Sequence, residues 1–105
     1  MAKIVEKTER ILFSDGTIIT DKHEPECCEV NYADFDQLDD AALSTDFDTV
    51  NLIFEACEYG FRFGNAGKMF FVPCYSDQNG YYSTNVDICL NGETVLNVEG
   101  KVYLC

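Results

Sequence analysis

"KMFFVPCYSDQNGYYSTNVDICL", residues 68–90, carries the strongest folding signal in the chain. Two runs rich in aromatic and β-branched residues flank Asn79-Gly80, a dipeptide that readily supplies the positive φ angles of a tight two-residue turn. Read as a hairpin, the stretch sets Phe71 opposite Ile88, Pro73 opposite Val86, Val72 opposite Asp87 and Cys74 opposite Asn85. One face is then apolar and the other mixed. Pro73 lacks a ladder donor, which points to an edge strand or a bulge. Further on, "NGE" opens another strand pair, "TVLNV" and "KVYLC", turning at Glu99-Gly100.

Working outward, "EKTERILF", "SDGT" and "IITDKH" read as a first hairpin with Asp15-Gly16 as its two-residue loop. That register sets Phe13 opposite Ile18, Leu12 opposite Ile19, Arg10 opposite Asp21 and Glu9 opposite Lys22, so opposite charges face one another. Pro25 ends the second strand near His23. Over residues 32–43 the apolar Phe35, Leu38 and Ala42 recur at helical spacing, with acids at 34, 36, 39 and 40 on the other faces, which predicts a short acidic helix. Residues 50–63 fit either period; their β-branched and aromatic content, interrupted by Gly60 and Gly64, favours strand. The expected fold class is α+β: mainly antiparallel β-hairpins in one sheet or a partly open barrel, with one short acidic helix.

The chain has 105 residues, 47% of them hydrophobic, with eight Phe and six Tyr, enough apolar surface to offset the entropy of ordering one core. A single domain over residues 1–105 is expected. No apolar run approaches the roughly eighteen residues that a membrane helix needs, and "MAKIVEKTER" has charges where a secretory signal is apolar. The expectation is a soluble, cytoplasmic protein. The six cysteines then read as thiols, with Cys57, Cys74, Cys89 and Cys105 packed as small hydrophobes.

Nineteen acidic residues against seven basic ones give a formal charge of −12. Residues 24–58 hold eleven of the acids and no Arg or Lys. Direct binding to nucleic acid or to an anionic membrane surface is disfavoured, because both need cationic side chains.

"DGT", "HEPECCEVNYADF" (residues 23–35) and "PCYSDQNGYYS" (residues 73–83) together resemble a family of small uncharacterised proteins of bacteria and their phages. The resemblance runs from the first hairpin to Leu90, on the motifs H-E-x-x-C-C-E and P-C-Y-x-x-Q-N-G-Y-Y-S. It implies a compact domain of bacterial or phage origin and no particular reaction.

Three groups of residues are candidates for chemistry. His23, Cys27 and Cys28 combine imidazole and thiolate, ligand types suited to zinc, although adjacent cysteines depart from the paired spacing of structural zinc sites. The same residues suit a Cys-His nucleophile, with Cys74, Asn85 and Asp87 as further members, but Glu24, Glu26 and Glu29 would raise a neighbouring thiol pKa and disfavour the thiolate. Asp34, Asp36, Asp39, Asp40, Asp46 and Asp48, with Tyr81 and Tyr82 on a hairpin tip, form a candidate partner-binding surface. On an α-helix Asp36 and Asp40 would lie about 6 Å apart along the axis, near the spacing of phosphates along a strand. The leading expectation is a non-enzymatic interaction protein without a cofactor. It would act as a phage-type inhibitor or nucleic-acid mimic, engaging a basic groove on a nucleic-acid-binding host protein. The alternative is a metal-binding or thiol-based module centred on His23, Cys27 and Cys28.

Overall fold

The computed structural model describes residues 1–22, 30–78 and 83–104. The described residues form the strands β1 (Ile4–Glu6), β2 (Ile11–Phe13), β3 (Ile18–Lys22), β4 (Val30–Ala33), β5 (Ile53–Cys57), β6 (Gly60–Asn65), β7 (Lys68–Gln78), β8 (Asn85–Leu90), β9 (Glu93–Glu99) and β10 (Lys101–Leu104), with buried and exposed side chains alternating most clearly in β2 and β7. One sheet runs in the order β1-β2-β3-β8-β9, the other β10-β7-β6-β5, and β4 also pairs with β7. All of these pairings are antiparallel except β10 with β7. Ile4, Ile11, Phe13, Ile19, Val86, Ile88 and Val98 of the first sheet share one core with Ala33, Phe61, Phe63, Val72 and Cys74 of the second. Among the described residues no helix is long and apolar enough to cross a membrane.

This is a mostly antiparallel two-sheet β structure, which corrects the expected α+β class: among the described residues no helix reaches seven residues and no barrel closes. Strand β4 takes the first two positions of the expected helix, and the rest folds as short 3-10 turns at Phe35–Gln37 and Asp40–Ser44. Leu38 and Asp39 between them are extended, with ψ of 136° and 130°. The Asp39 carboxylate accepts from the Ala41 N–H at 2.9 Å and so starts a turn of its own instead of continuing the preceding one. Phe35, Leu38 and Ala42 nevertheless enter the core. Residues 53–65 form the β5–β6 hairpin, so strand is the correct reading of that region.

The first hairpin forms in a different register. Its loop has three residues: Phe13 N–H donates to the Thr17 carbonyl (2.9 Å), Gly16 N–H to Phe13 (3.0 Å), and Gly16 takes φ +91°. Leu12 therefore faces Ile18 and Ile11 faces Ile19, which gathers Ile11, Phe13 and Ile19 on the buried side. Arg10 does not face Asp21. It lies before β2 and binds Glu6 at 2.7 Å, while Asp21 accepts from the Ala33 N–H at 2.8 Å.

The expected β7–β8 hairpin is also corrected. The two strands belong to different sheets, β7 pairing with β6, β4 and β10, and β8 with β3 and β9. Residues 79–82, with the Asn79-Gly80 dipeptide, lie outside the described residues. Among the described residues, tight two-residue turns lie at Glu58-Tyr59, Ala66-Gly67 and Asn91-Gly92, the last with φ of +51° and +87° and with Leu90 paired to Glu93. Nor do β9 and β10 pair: at Gly100 the chain crosses to the other sheet, and a Cβ there would lie 2.7 Å from the Tyr75 main chain. Pro73 sits within β7 just past the end of β4, its carbonyl accepting from the Asp34 N–H at 2.8 Å.

Two glycines separate two costs of adding a side chain. Gly16 has open space and positive φ, whereas a Cβ at Gly60 would strike the Val72 carbonyl oxygen and come within 2.6 Å of the Phe71 ring. Denaturant titration should show Gly16→Ala losing about 1 kcal/mol. Gly60→Ala should lose clearly more; equal losses would contradict the close strand contact.

Candidate functional site

The acidic segment, residues 34–48, is held from both sides. Phe35, Leu38, Ala42 and Phe47 are buried, and Ala2 and Phe47 exchange main-chain hydrogen bonds at 2.9 and 2.8 Å. The Phe47 ring meets Phe13 edge-on at 5.4 Å. At the far end, Asn65 accepts from the Asp48 N–H (2.8 Å) and donates to the Asp48 carbonyl (3.0 Å).

Each predicted carboxylate has its own local geometry. Asp34 accepts from the Gln37 amide at 2.7 Å. Asp39 caps the turn at Asp40–Ser44. Asp48 caps the turn at Thr49–Asn51, and the hydrogen bond from the Asn51 side chain, ahead of the Val50 N–H, holds its carboxyl below the usual range. Asp46 is lowered by its hydrogen bond and ion pair with Lys3 at 2.8 Å. Asp36 is exposed, and among the described residues its carboxylate has no partner. Asp40 lies 3.2 Å from Lys7, with its side chain 85% exposed. Asp36 and Asp40 stand in successive 3-10 turns, so the α-helical spacing expected between them is not realised.

Sequence reasoning missed the cations, because Lys3 and Lys7 come from just before and just after β1, far from the acids in sequence. Lys7 reaches across to the segment with its side chain only 17% exposed, donating to the carbonyls of Asp36 (2.8 Å) and Leu38 (3.0 Å) beside its ion pair with Asp40. It satisfies carbonyls at the end of a 3-10 turn, where a positive charge is favoured.

A second feature was also missed: a row of tyrosines on the outer face of the second sheet. Inward-facing Cys74, Ser76 and Gln78 are buried, so Tyr75 and Asp77 point outward. Register places Tyr32 and Lys101 beside Tyr75, and Val30 and Tyr103 beside Asp77. Ring centroids are 5.8 Å apart for Tyr32–Tyr75 and 5.3 Å for Tyr75–Tyr103, and the Lys101 ammonium lies 5.9 Å from the Tyr103 ring centre. The Tyr75 hydroxyl donates to Gln37 at 3.2 Å, which joins the tyrosine row to the acidic segment. Burial raises the Tyr32 pKa, with Asp77 and Asp34 adding to the shift. The period-2 alternation of "PCYSD" was the available signal.

Other candidates are not brought together. Cys74 lies in β7 and Asp87 and Asn85 in β8, in different sheets. Burial, with a smaller contribution from Asp21, pushes the Cys74 thiol up to about 12, the reverse of an activated nucleophile. Cys74 and Cys89 are buried as expected, while Cys57 is only half-buried. His23, Cys27, Cys28, Tyr81 and Tyr82 lie outside the described residues. Among those described, no group of three or more His, Cys, Asp or Glu side chains is placed to hold a metal ion. Compared with known proteins, the chain matches no family model, no curated protein and no solved structure.

Removing the Lys7 ammonium leaves two carbonyls without their donor. Lys7→Met should destabilise the protein by roughly 1–3 kcal/mol. Lys3→Met, which breaks an ion pair between half-exposed groups, should cost under about 1 kcal/mol. Equilibrium denaturation of the two variants checks the order.

Proposed function

We propose that this protein is a small, cytoplasmic, non-enzymatic interaction protein whose working surface is the acidic segment around Asp34, Asp36, Asp39, Asp40, Asp46 and Asp48. Its partner is a basic groove on a nucleic-acid-binding protein, which it occupies in place of a phosphate backbone. The observation that carries this reading is the exposure of Asp36, Asp39 and Asp40 on a segment whose Phe35, Leu38 and Ala42 are fixed in the core. A backbone already held in place by buried side chains loses little conformational freedom on binding, so more of the interaction energy is retained as affinity. The surplus of negative charge supports the same reading, since complementary charge raises the association rate and excludes wrong partners. An inhibitory role agrees with the bacterial or phage origin implied by the motifs at residues 23–35 and 73–83.

The test is Asp36→Asn, Asp39→Asn and Asp40→Asn combined. The Asp39→Asn change keeps a side-chain oxygen for the Ala41 N–H, and Asp40→Asn removes a carboxylate that is 85% exposed while Lys7 keeps its bonds to the Asp36 and Leu38 carbonyls. The melting temperature should therefore move little. Capture of basic proteins from bacterial lysate should fall sharply with the triple variant, and with the native chain as salt rises from low to physiological concentration. Capture indifferent to both changes would reduce the segment to solvated surface.

A further inference from the structure

We infer that the tyrosine row is a docking surface for arginine side chains of a basic partner, with Tyr32, Tyr75 and Tyr103 as the stacking platform and Asp77 as the anchoring carboxylate. The inference deepens the proposed function and rests on its reading of the partner as basic. Asp77 is bordered by Val30 on β4, Tyr103 on β10 and Tyr75 along its own strand. Among the described residues its carboxylate has no hydrogen-bond or ion-pair partner. A half-exposed carboxylate with phenol rings beside it offers a guanidinium two things at once: a flat π face to lie on and an oxygen pair for a bidentate hydrogen bond.

Charge complementarity argues for a cationic occupant. The face belongs to a chain of net charge −12, and Asp34 and Asp77 both act on Tyr32. The chain also places a cation of its own on this platform, the Lys101 ammonium over Tyr103. An ammonium is compact and strongly hydrated; a planar guanidinium stacks better and matches the carboxylate fork, so arginine is preferred to lysine. Lys101 then competes with the ligand. The Tyr75–Gln37–Asp34 hydrogen bonds make the platform continuous with the acidic segment, so one extended basic chain can reach both.

The experiment measures fluorescence anisotropy of two labelled peptides, one alternating arginine and glycine, the other with every arginine replaced by lysine, at constant ionic strength. The arginine peptide should bind the native chain roughly fivefold or more tightly than the lysine peptide. Tyr103→Leu, which keeps a strand-compatible apolar side chain, and Asp77→Asn should each abolish that preference without changing the melting temperature. Lys101→Gln should strengthen arginine-peptide binding. Equal binding of both peptides, or a preference that survives Tyr103→Leu, overturns the inference. So would a self-association of the native chain that Tyr103→Leu removes, or binding of an oligothymidine that depends on Tyr103. The triple aspartate-to-asparagine variant separates the two readings: it should weaken both peptides alike and leave the ratio intact. Loss of the arginine preference with salt-sensitive, triple-variant-sensitive binding retained would refute only the tyrosine surface. An arginine preference retained while the triple variant has no effect would refute only the acidic segment. If neither peptide binds, both fail.

Discussion

The alternation of β7 governs both the core and the outer surface. Its even-numbered residues from Val72 to Gln78 are buried, and its odd-numbered ones face out. Along its length it pairs with β6, β4 and β10, so three other strands take their register from it. Inside, Val72 and Cys74 join the core. Ser76 and Gln78 continue the buried side into a polar network: Ser76 bonds to Asn31, Gln78 donates to Ser76 at 2.6 Å, and Asn31 donates to the Ser83 carbonyl at 2.8 Å. Those bonds tie β4 and β7 to the chain where it enters β8, and they satisfy amides whose burial would otherwise be costly. A one-residue slip of β7 would exchange this network for Tyr75 and Asp77 and dismantle core and outer face together.

The acidic segment rests on that core and on cations distant in sequence. Eleven carboxylates in residues 24–58 would repel one another as a free chain. In the fold, Asp39 and Asp48 cap 3-10 turns, and Asp46 and Asp40 meet Lys3 and Lys7. Part of the negative charge is therefore structural, and the part facing solvent is narrower than composition suggests. Asp36 is its clearest member.

Much of the β content was legible in the sequence, while the pairing of strands was less so. Local patterns located most strands correctly, including residues 53–65, where aromatic and β-branched content outweighed an equally good helical spacing. Pairing failed where a turn dipeptide was trusted to join its neighbours: β7 and β8 belong to different sheets, and a β strand carries no mark of the sheet it will enter. The same limit hid the parallel β10–β7 pair, since a parallel partner is never the adjacent hairpin strand. Asp15-Gly16 misled by one residue because Ser14 joins the loop and burial of Ile11, Phe13 and Ile19 fixes the register. The spacing of Phe35, Leu38 and Ala42 identified a buried face but not its backbone, because short polar side chains that cap turns compete with continuous helix. Of the candidate surface, the acids were readable one by one. Lys7 and the tyrosine row come from elements far apart in sequence and needed the tertiary structure.

The central claim is that the carboxylates of residues 34–48 are presented by an anchored segment, fixed by Phe35, Leu38, Ala42, Phe47 and the Lys7 ammonium, and not by a solvated loop. Backbone 15N relaxation of the free protein tests it most directly. The account predicts order parameters across this segment equal to those of the strands, about 0.85. Values below about 0.6 there, with the strands rigid, would contradict it.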